Sequence, residues 1–163
     1  MPIALYRIDD RLIHGQVVVG WGQPLNLGFI VLVDDVVAES DWEQELYRLG
    51  VPTSMDVYFV SIREAAREME KYACDRRTGM VLTGTVQAML DLARGSAHRI
   101  PAVNIGGIHH REDRTQKMRY VFLNAAEEQG LRSIAALGVT VTAQDVPSAP
   151  SKSLDELMRG CDS

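Results

Sequence analysis

The stretch FIVLVD, residues 29 to 34, places five apolar residues in a row before its first acidic side chain. A strand with one exposed face alternates apolar and polar residues, because successive side chains point to opposite faces of the sheet. An unbroken apolar run rich in β-branched residues instead predicts a strand that is covered on both faces. Strands of this kind are typical of parallel sheets with helices on each side. The stretch therefore favours an α/β fold.

Similar runs recur along the chain and alternate with helical patterns. Ser61, with Glu64 three residues later, has the spacing of a helix N-cap. The alternation predicts a three-layer α/β/α domain around a mostly parallel, open sheet of about six to seven strands with right-handed crossovers. The predicted strands are Ile3–Ile8, Phe29–Asp34, Val57–Val60, Met80–Thr83, Ala102–Ile105, Arg119–Leu123 and Val139–Thr142. The predicted helices are Gln16–Trp21, Asp41–Leu49, Ile62–Tyr72, Val86–Arg94, Ala125–Leu137 and Leu154–Met158.

Length and composition predict one domain. The chain has 163 residues, of which 46% are hydrophobic, enough to bury one core. We expect residues 1–163 to form a single domain with a loosely attached C-terminal segment from about residue 148. Apolar runs are far shorter than the roughly 18 to 20 residues of a membrane span. The N-terminus also lacks the basic and apolar regions of a secretory signal, so we expect a cytoplasmic protein.

The net charge argues against a nucleic-acid-binding protein, and the spacing of Cys and His argues against a metal-binding one. The formal charge of −5 and the lack of a long basic run argue against nucleic-acid binding. Cys74 and Cys161 lie far apart and match no metal spacing, so both are expected to be reduced. His109 and His110 are adjacent and point to opposite sides of an extended segment, which disfavours a shared metal. No metal site is predicted.

The candidate functional site lies in RIDDRLIHGQV, residues 7 to 17. Ligand sites in parallel sheets form outside the carboxyl ends of the strands, and the first strand ends just before this segment. His14 therefore falls at the functional edge, beside Gly15, whose missing side chain leaves room for a phosphoryl group. The segment carries neither a dinucleotide-binding nor a Walker-type glycine pattern. The sequence therefore calls for a different phosphate chemistry.

A histidine in this position can itself accept a phosphoryl group, because a neutral imidazole nitrogen is a good nucleophile. Arg11 is close enough in sequence to supply positive charge to the transferring group. Asp9 or Asp10 can fix the imidazole tautomer by accepting one ring N–H, and we assign this orienting role to Asp10. The alternative is that both acids pair with Arg7 and Arg11 in a structural network.

The segment resembles the phosphorylation-site motif of the IIB subunits of the mannose/fructose/sorbose family, which belong to the bacterial phosphoenolpyruvate-dependent sugar phosphotransferase system (PTS). The similarity continues through VLVDDVVAES (31–40), VNIGGIH (103–109) and GVTVTAQDVPS (138–148). It therefore spans nearly the whole chain in the family's order. The first motif is highly specific, and the later ones support it together.

The resemblance implies a protein-Nπ-phosphohistidine–sugar phosphotransferase. It implies that Nδ1 of His14 takes a phosphoryl group from a phosphohistidine on a IIA protein and passes it to a sugar held by the membrane subunits IIC and IID. Arg11 matches the family's arginine near the phosphohistidine. No metal or organic cofactor is implied. Association with the inner membrane is then expected to be peripheral, through IIC and IID.

Several other residues are candidates for the site or for partner contacts. We place Asp9, Gly15, Gln16, Thr83, Gly107 and His109 around the phosphate or a partner. Trp21 and Trp42, on predicted helices, are expected to be packing residues. A small basic cluster can meet an acidic IIA surface or a phosphate, or can simply be a solvated loop; it consists of Arg111, Arg114, Lys117 and Arg119.

Two other functions stay open at this point. The chain can be a IIB-like regulatory module, phosphorylated at His14 and read by another protein without sugar transport. It can also be a small-anion-binding α/β domain in which His14 only donates or accepts a hydrogen bond. A homodimer is compatible with each of these functions.

Overall fold

The computed structural model describes residues 3–160 and has a central sheet of seven strands. The strand order is β3-β2-β4-β1-β5-β8-β9, and every pair is parallel except β8 with β9. The strands of this sheet are β1 (Ile3–Ile8), β2 (Phe29–Val33), β3 (Asp56–Val60), β4 (Gly79–Thr83), β5 (Ala102–Ile105), β8 (Thr140–Ala143) and β9 (Lys152–Ser153). A hairpin of β6 (Thr115–Met118) and β7 (Val121–Leu123) stands apart from it.

Helices follow most of the strands. They are a π-helical turn at Gln16–Trp21, a 3₁₀ turn at Val37–Glu39, and the α-helices α1 (Asp41–Leu49), α2 (Ile62–Ala73), α3 (Val86–Gly95), α4 (Ala125–Ala136) and α5 (Leu154–Met158). Ser61 caps α2 as predicted, since its hydroxyl accepts a hydrogen bond from the backbone N–H of Glu64. Asn124 and Ser153 form complete capping boxes at α4 and α5.

Two apolar clusters cover the two faces of the sheet, which confirms the predicted three-layer α/β/α fold. On one face, α2, α3, α4 and α5 pack against side chains such as Phe29, Val31 and Val33. On the other, the π-helical turn and the partly buried Tyr47 of α1 pack against Ile30 and Leu32. All five residues of β2 are buried, as the unbroken apolar run predicted.

The connections leave β1 and β5 in opposite directions, although the two strands are neighbours. The chain passes from β1 towards β2 on one side of the sheet and from β5 towards β8 on the other. Such a divergence opens a crevice at the carboxyl ends of the two strands. The crevice lies beside the loop that contains His14.

Two predictions need correction, and one short strand was also missed. Residues 119 to 123 do not add a strand to the central sheet: Arg119 and Tyr120 form the turn of the β6–β7 hairpin. The polar residues of this region cannot be covered on both faces, so it forms a partly exposed ribbon outside the sheet. Trp42 was expected to pack, yet it is 70% exposed. Strand β9 was missed because two residues are too short to show a period.

The C-terminal segment from about residue 148 packs on the domain within the described part of the chain. Strand β9 pairs antiparallel with β8, and Leu157 of α5 is buried in the larger apolar cluster. Cys161 lies outside the described residues, and Cys74 is exposed and free. Across residues 3–160, no helix has both the length and the apolar character that a membrane crossing demands.

Gly79 offers a test of the packing at the start of β4. A Cβ atom at this position would lie less than 3.0 Å from the Phe29 ring, which is itself fully buried. We expect Gly79→Ala to lower the free energy of unfolding by about 1–3 kcal/mol through overpacking, measured by urea denaturation. Gly50→Ala is the control, because its Cβ would meet nothing closer than 3.7 Å. Equal stability of the two variants would contradict this view of the core.

Candidate active site around His14

The loop after β1 is tied to the ends of both neighbouring strands. The backbone N–H of Asp9 donates to the carbonyl of Thr83 at the end of β4, and that of Asp10 donates to the carbonyl of Gly107 beyond β5, both at 2.9 Å. The loop turns at Leu12, a buried residue with a φ of 59° in the left-handed region. These constraints fix the path of the chain up to His14.

His14 lies above a buried carboxylate. Its Nε2 atom is 3.1 Å from Oδ2 of Asp9, an ion-pair distance without the alignment of a regular hydrogen bond. The His14 side chain is 14% exposed, whereas that of Asp9 is completely buried. Nε2 therefore faces the carboxylate, and Nδ1, separated from it by Cε1, is the other ring nitrogen.

Arg7 holds this carboxylate from below. It is fully buried in the middle of the sheet, and its Nη2 lies 3.3 Å from Oδ2 of Asp9. Its guanidinium also donates to the Asn104 side chain and to the carbonyls of Gln144 and Asp145. The ring of Trp21 stacks 5.1 Å from Arg7 Cζ. A buried cation thus satisfies groups from three parts of the chain.

The same guanidinium leaves no room for a side chain at Gly106. A Cβ atom here would lie less than 3.0 Å from Arg7 Nε, so no side chain fits between β5 and Arg7. The glycine pair that ends β5 is thus explained at its first position by close approach of a side chain, and no turn is needed to account for it.

Burial and the attraction between opposite charges act in opposite directions on the pKa values of Asp9 and Arg7. Burial acts to raise the pKa of Asp9, but His14, Arg7 and the backbone N–H of Arg11 outweigh it and hold that pKa below its ordinary value. Burial lowers the pKa of Arg7, and the Asp9 charge opposes that change. Asp9 is therefore an anion at neutral pH.

Arg11 and Gln16 form the exposed side of the site. Nη2 of Arg11 donates to Oε1 of Gln16 at 2.8 Å, and the Arg11 backbone N–H donates to Oδ1 of Asp9 at 3.2 Å. A Cβ atom on Gly15 would meet nothing within 4 Å, so open space adjoins the backbone beside His14. The arginine is free to approach a bound anion, which the buried Arg7 is not.

Asp10 contacts His109 rather than His14. Its carboxylate accepts a hydrogen bond from the His109 backbone N–H at 2.7 Å and lies 2.6 Å from the ring atom Nδ1. The ideal Cβ position of Gly107 lies 3.3 Å from Cε1 of His109 and 3.6 Å from Oδ1 of Asp9, so this glycine separates the two pairs. The structure thus places Asp9 at the position against His14 that we assigned to Asp10.

Other predicted residues are placed less directly. The Thr83 side chain is buried and donates to the Thr85 carbonyl, so its backbone carbonyl rather than its hydroxyl faces the loop. The basic cluster is largely paired within the chain: Arg114 with Glu127, Lys117 with Glu128, Arg111 with Asp113 and Arg119 with Asp145. In residues 3–160, no three His, Cys, Asp or Glu side chains converge as a metal ion requires.

Sequence reasoning did not place Asn104, Gln144 or Asp145 at the site. Arg7 was considered only as a partner for the acids, and of that alternative network only the Arg7–Asp9 pair forms, since Asp10 contacts His109 and the Arg11 side chain contacts Gln16. The available signal was an arginine inside an apolar strand. A charge at such a position requires buried partners.

The fold and the site define an α/β protein with a histidine presented at the switch point of its sheet. Residues 3–162 match the family model described as PTS system sorbose subfamily IIB component. The chain belongs to this family of IIB components. It is therefore a phosphotransferase that acts in sugar phosphorylation, which confirms the resemblance seen in the sequence.

Curated relatives and solved structures agree with this family. The chain is 34% identical to the N-acetylgalactosamine-specific phosphotransferase enzyme IIB component 1 of Escherichia coli K12, over 89% of this chain and 91% of that protein. It superposes on the crystal structure of the IIBSor domain of the Klebsiella pneumoniae sorbose permease with a TM-score of 0.85 and 31% identity, covering 99% of both chains. The mannose-specific EIIAB component of E. coli K12 is 29% identical, with half of its length covered.

Loss of the buried cation is expected to destabilise the fold. We predict that Arg7→Met lowers the free energy of unfolding by about 3–5 kcal/mol in urea denaturation, because it leaves Asp9 without its partner in the interior. Arg119→Met is the control, since Arg119 is 78% exposed and its pair with Asp145 contributes at most about 1 kcal/mol. A similar loss in both variants would show that Arg7 is no more important than a surface cation.

The lowered pKa of Asp9 predicts a pH dependence of stability. A carboxyl whose pKa is lower in the folded than in the unfolded chain stabilises the fold above the unfolded value, near pH 4, and loses that contribution as the pH falls towards the folded value. Between pH 5 and pH 3, wild type should therefore lose more free energy of unfolding than Asp9→Asn. Parallel urea titrations across this range measure the difference, and identical slopes would contradict the assignment.

Proposed function

We propose that His14 is the phosphoryl acceptor and that Nδ1 is its attacking atom. The observation that carries the proposal is the 3.1 Å approach of Asp9 Oδ2 to Nε2. An anionic carboxylate at this atom favours the tautomer with the proton on Nε2, which leaves the lone pair on Nδ1. An imidazole in that tautomer is ready to attack phosphorus.

The reaction then has two transfers. First, the Nδ1 lone pair forms a bond to phosphorus while the P–N bond of a phosphohistidine on a IIA protein breaks. The phosphorylated ring keeps its proton on Nε2, and the Asp9 carboxylate offsets the positive charge of that ring. In the second transfer, a sugar hydroxyl attacks the same phosphorus and gives up its proton to a base at the sugar site, and the lone pair returns to Nδ1 as the Nδ1–P bond breaks.

Arg11 is the group we assign to the charge of the transition state. A loose, metaphosphate-like transition state spreads negative charge over three equatorial oxygens, and a positioned cation stabilises it. Arg11 is exposed, and its fork already lies at hydrogen-bond distance from Gln16. Gln16 can hold the guanidinium ready, while Gly15 and Gly107 leave space for the phosphoryl oxygens.

The Asp10–His109 pair forms the rim of the same site in this proposal. The His109 side chain is 55% exposed, and Asp10 fixes the ring through Nδ1, so Nε2 is directed elsewhere. A donor at this place suits the phosphoryl group or a docked partner. Asp10 then positions His109, and Asp9 takes the orienting role that we had first given to Asp10.

The partners follow from the family. We infer a IIA protein as phosphoryl donor and IIC and IID subunits as the site where the sugar is held, with residues 1–163 acting as one domain associated peripherally with the inner membrane. The name of one relative, a mannose-specific EIIAB component, supports close cooperation with a IIA unit. No metal or organic cofactor enters either transfer.

The test is phosphorylation by a reconstituted donor chain. Wild type and His14→Gln are incubated with phosphoenolpyruvate, enzyme I, HPr and the cognate IIA protein, and intact mass is measured. We expect one acid-labile phosphoryl group on wild type, a ³¹P NMR signal of Nδ1-phosphohistidine, and neither in His14→Gln. An unmodified wild type would overturn the proposal and favour a reversible anion site.

Two matched variants separate the acids. Asp9→Asn should slow phosphorylation of His14 at least about tenfold, because the group that fixes the tautomer loses its charge. Asp10→Asn, which removes the partner of His109, should have a smaller effect on this step. A larger effect of Asp10→Asn on the same rate would return the orienting role to Asp10.

A further inference from the structure

Helix α1 carries an unusual number of exposed apolar side chains. Six large hydrophobic residues are exposed in residues 3–160, and four of them lie between positions 36 and 49. Trp42, Leu46 and Leu49 are 70%, 56% and 83% exposed, and Val36, just before the helix, is 70% exposed. Spacings of four and three residues place the three helical positions on one side of α1. We call these four residues the α1 stripe.

The core does not need the α1 stripe. No residue of α1 is buried, and the helix is held by its other side. Tyr47 packs partly against the inner apolar cluster, Gln44 donates to the carbonyls of Val37 and Ala38, and Arg48 lies over the Phe59 ring. The outward side is thus free of a role in folding, and exposed apolar surface of this kind marks an interaction site.

The charges beside the α1 stripe select the partner. Asp41, Glu43 and Glu45 lie in the first turns of the helix, and Arg48 is drawn towards Glu45 and Phe59. An acidic rim repels the anionic surface of a membrane and an identical acidic rim on a second copy of this chain. It favours a basic segment that also has an apolar side.

The α1 stripe lies on the same face of the sheet as the segment that follows His14. Helix α1 follows β2, so Trp42 lies towards the carboxyl edge of the sheet, where His14 also lies. The π-helical turn after His14 and α1 pack on the same face of the sheet. A partner on the α1 stripe therefore approaches the same face of the sheet as the segment that follows His14.

We propose that the α1 stripe docks a basic amphipathic segment of the membrane subunits that receive the phosphoryl group. This inference rests on the proposed function, which supplies those subunits. Loops on the inner side of membrane helices carry an excess of Lys and Arg, and helix ends there are rich in aromatic and apolar anchors. Such a segment matches both the apolar side chains and the acidic rim.

The test measures binding without requiring transfer. Wild type, Trp42→Gln and Leu46→Gln are cosedimented with membrane vesicles that contain the cognate IIC and IID subunits, and with vesicles that lack them. Both variants should bind the loaded vesicles at least about tenfold more weakly, because an exposed aromatic anchor dominates such contacts. Leu137→Gln is the control, since Leu137 is 47% exposed at the end of α4 and should bind as wild type does.

Two further measurements test the acidic rim and the kinetics of sugar phosphorylation. Glu45→Lys should also weaken binding to loaded vesicles, most strongly at low salt. In sugar phosphorylation the stripe variants should raise the KM for this chain, while phosphorylation of His14 by phospho-IIA in solution stays at the wild-type rate. That separation distinguishes a docking defect from a failure of the His14 chemistry.

Three results would overturn the docking proposal. Unchanged binding of Trp42→Gln and Leu46→Gln would remove the α1 stripe from the interface. Equal binding of wild type to vesicles without IIC and IID would identify the lipid as the partner. A wild-type dimer that Trp42→Gln converts to a monomer in sedimentation analysis would identify a second copy. Because cosedimentation needs no phosphoryl transfer, each of these results stands even if His14 is not the acceptor.

Discussion

The buried ion pair between Arg7 and Asp9 is the interaction on which the site depends. Removing two charges from water is costly, and the cost is offset here because Asn104 and the carbonyls of Gln144 and Asp145 accept hydrogen bonds from the terminal nitrogens of the guanidinium. The pair holds an anion directly beneath His14, since Asp9 cannot turn away without leaving Arg7 unpaired. Fold and chemistry thus share one charged group.

This arrangement divides labour between two arginines that lie four residues apart in sequence. Arg7 is fully buried and both of its terminal nitrogens are hydrogen-bonded, so its contact with the histidine runs through Asp9. Arg11 is exposed, and among residues 3–160 its side chain hydrogen-bonds to Gln16 alone, so its charge is available to a bound anion. The buried Arg7–Asp9 pair and the exposed Arg11 thus match the two different roles that we propose for Asp9 and Arg11.

Much of the fold was predictable because it depends on local patterns. Unbroken apolar runs located the parallel strands, and the segment around His14 located the functional edge. Two features depend on contacts between distant parts of the chain, and local patterns could not predict them. Whether Asp9 or Asp10 faces His14 depends on how the loop is tied to Thr83 and Gly107, which are remote in sequence. The exposure of Trp42 depends on how α1 rests on the sheet, because its periodicity alone places Trp42, Leu46 and Leu49 on an apolar side that would be expected to face inward.

The contacts of Arg7 join a residue near the start of the chain to residues near its end, which are synthesised much later. Its Nη1 and Nη2 donate to carbonyls that are 137 and 138 residues away, and Trp21 donates to one of them as well. During synthesis the first strand therefore leaves the ribosome long before its buried cation can be satisfied. Until Asp145 has emerged, the buried Arg7–Asp9 pair beneath His14 lacks the carbonyls that complete it, so a nascent or truncated chain has an incomplete support for His14.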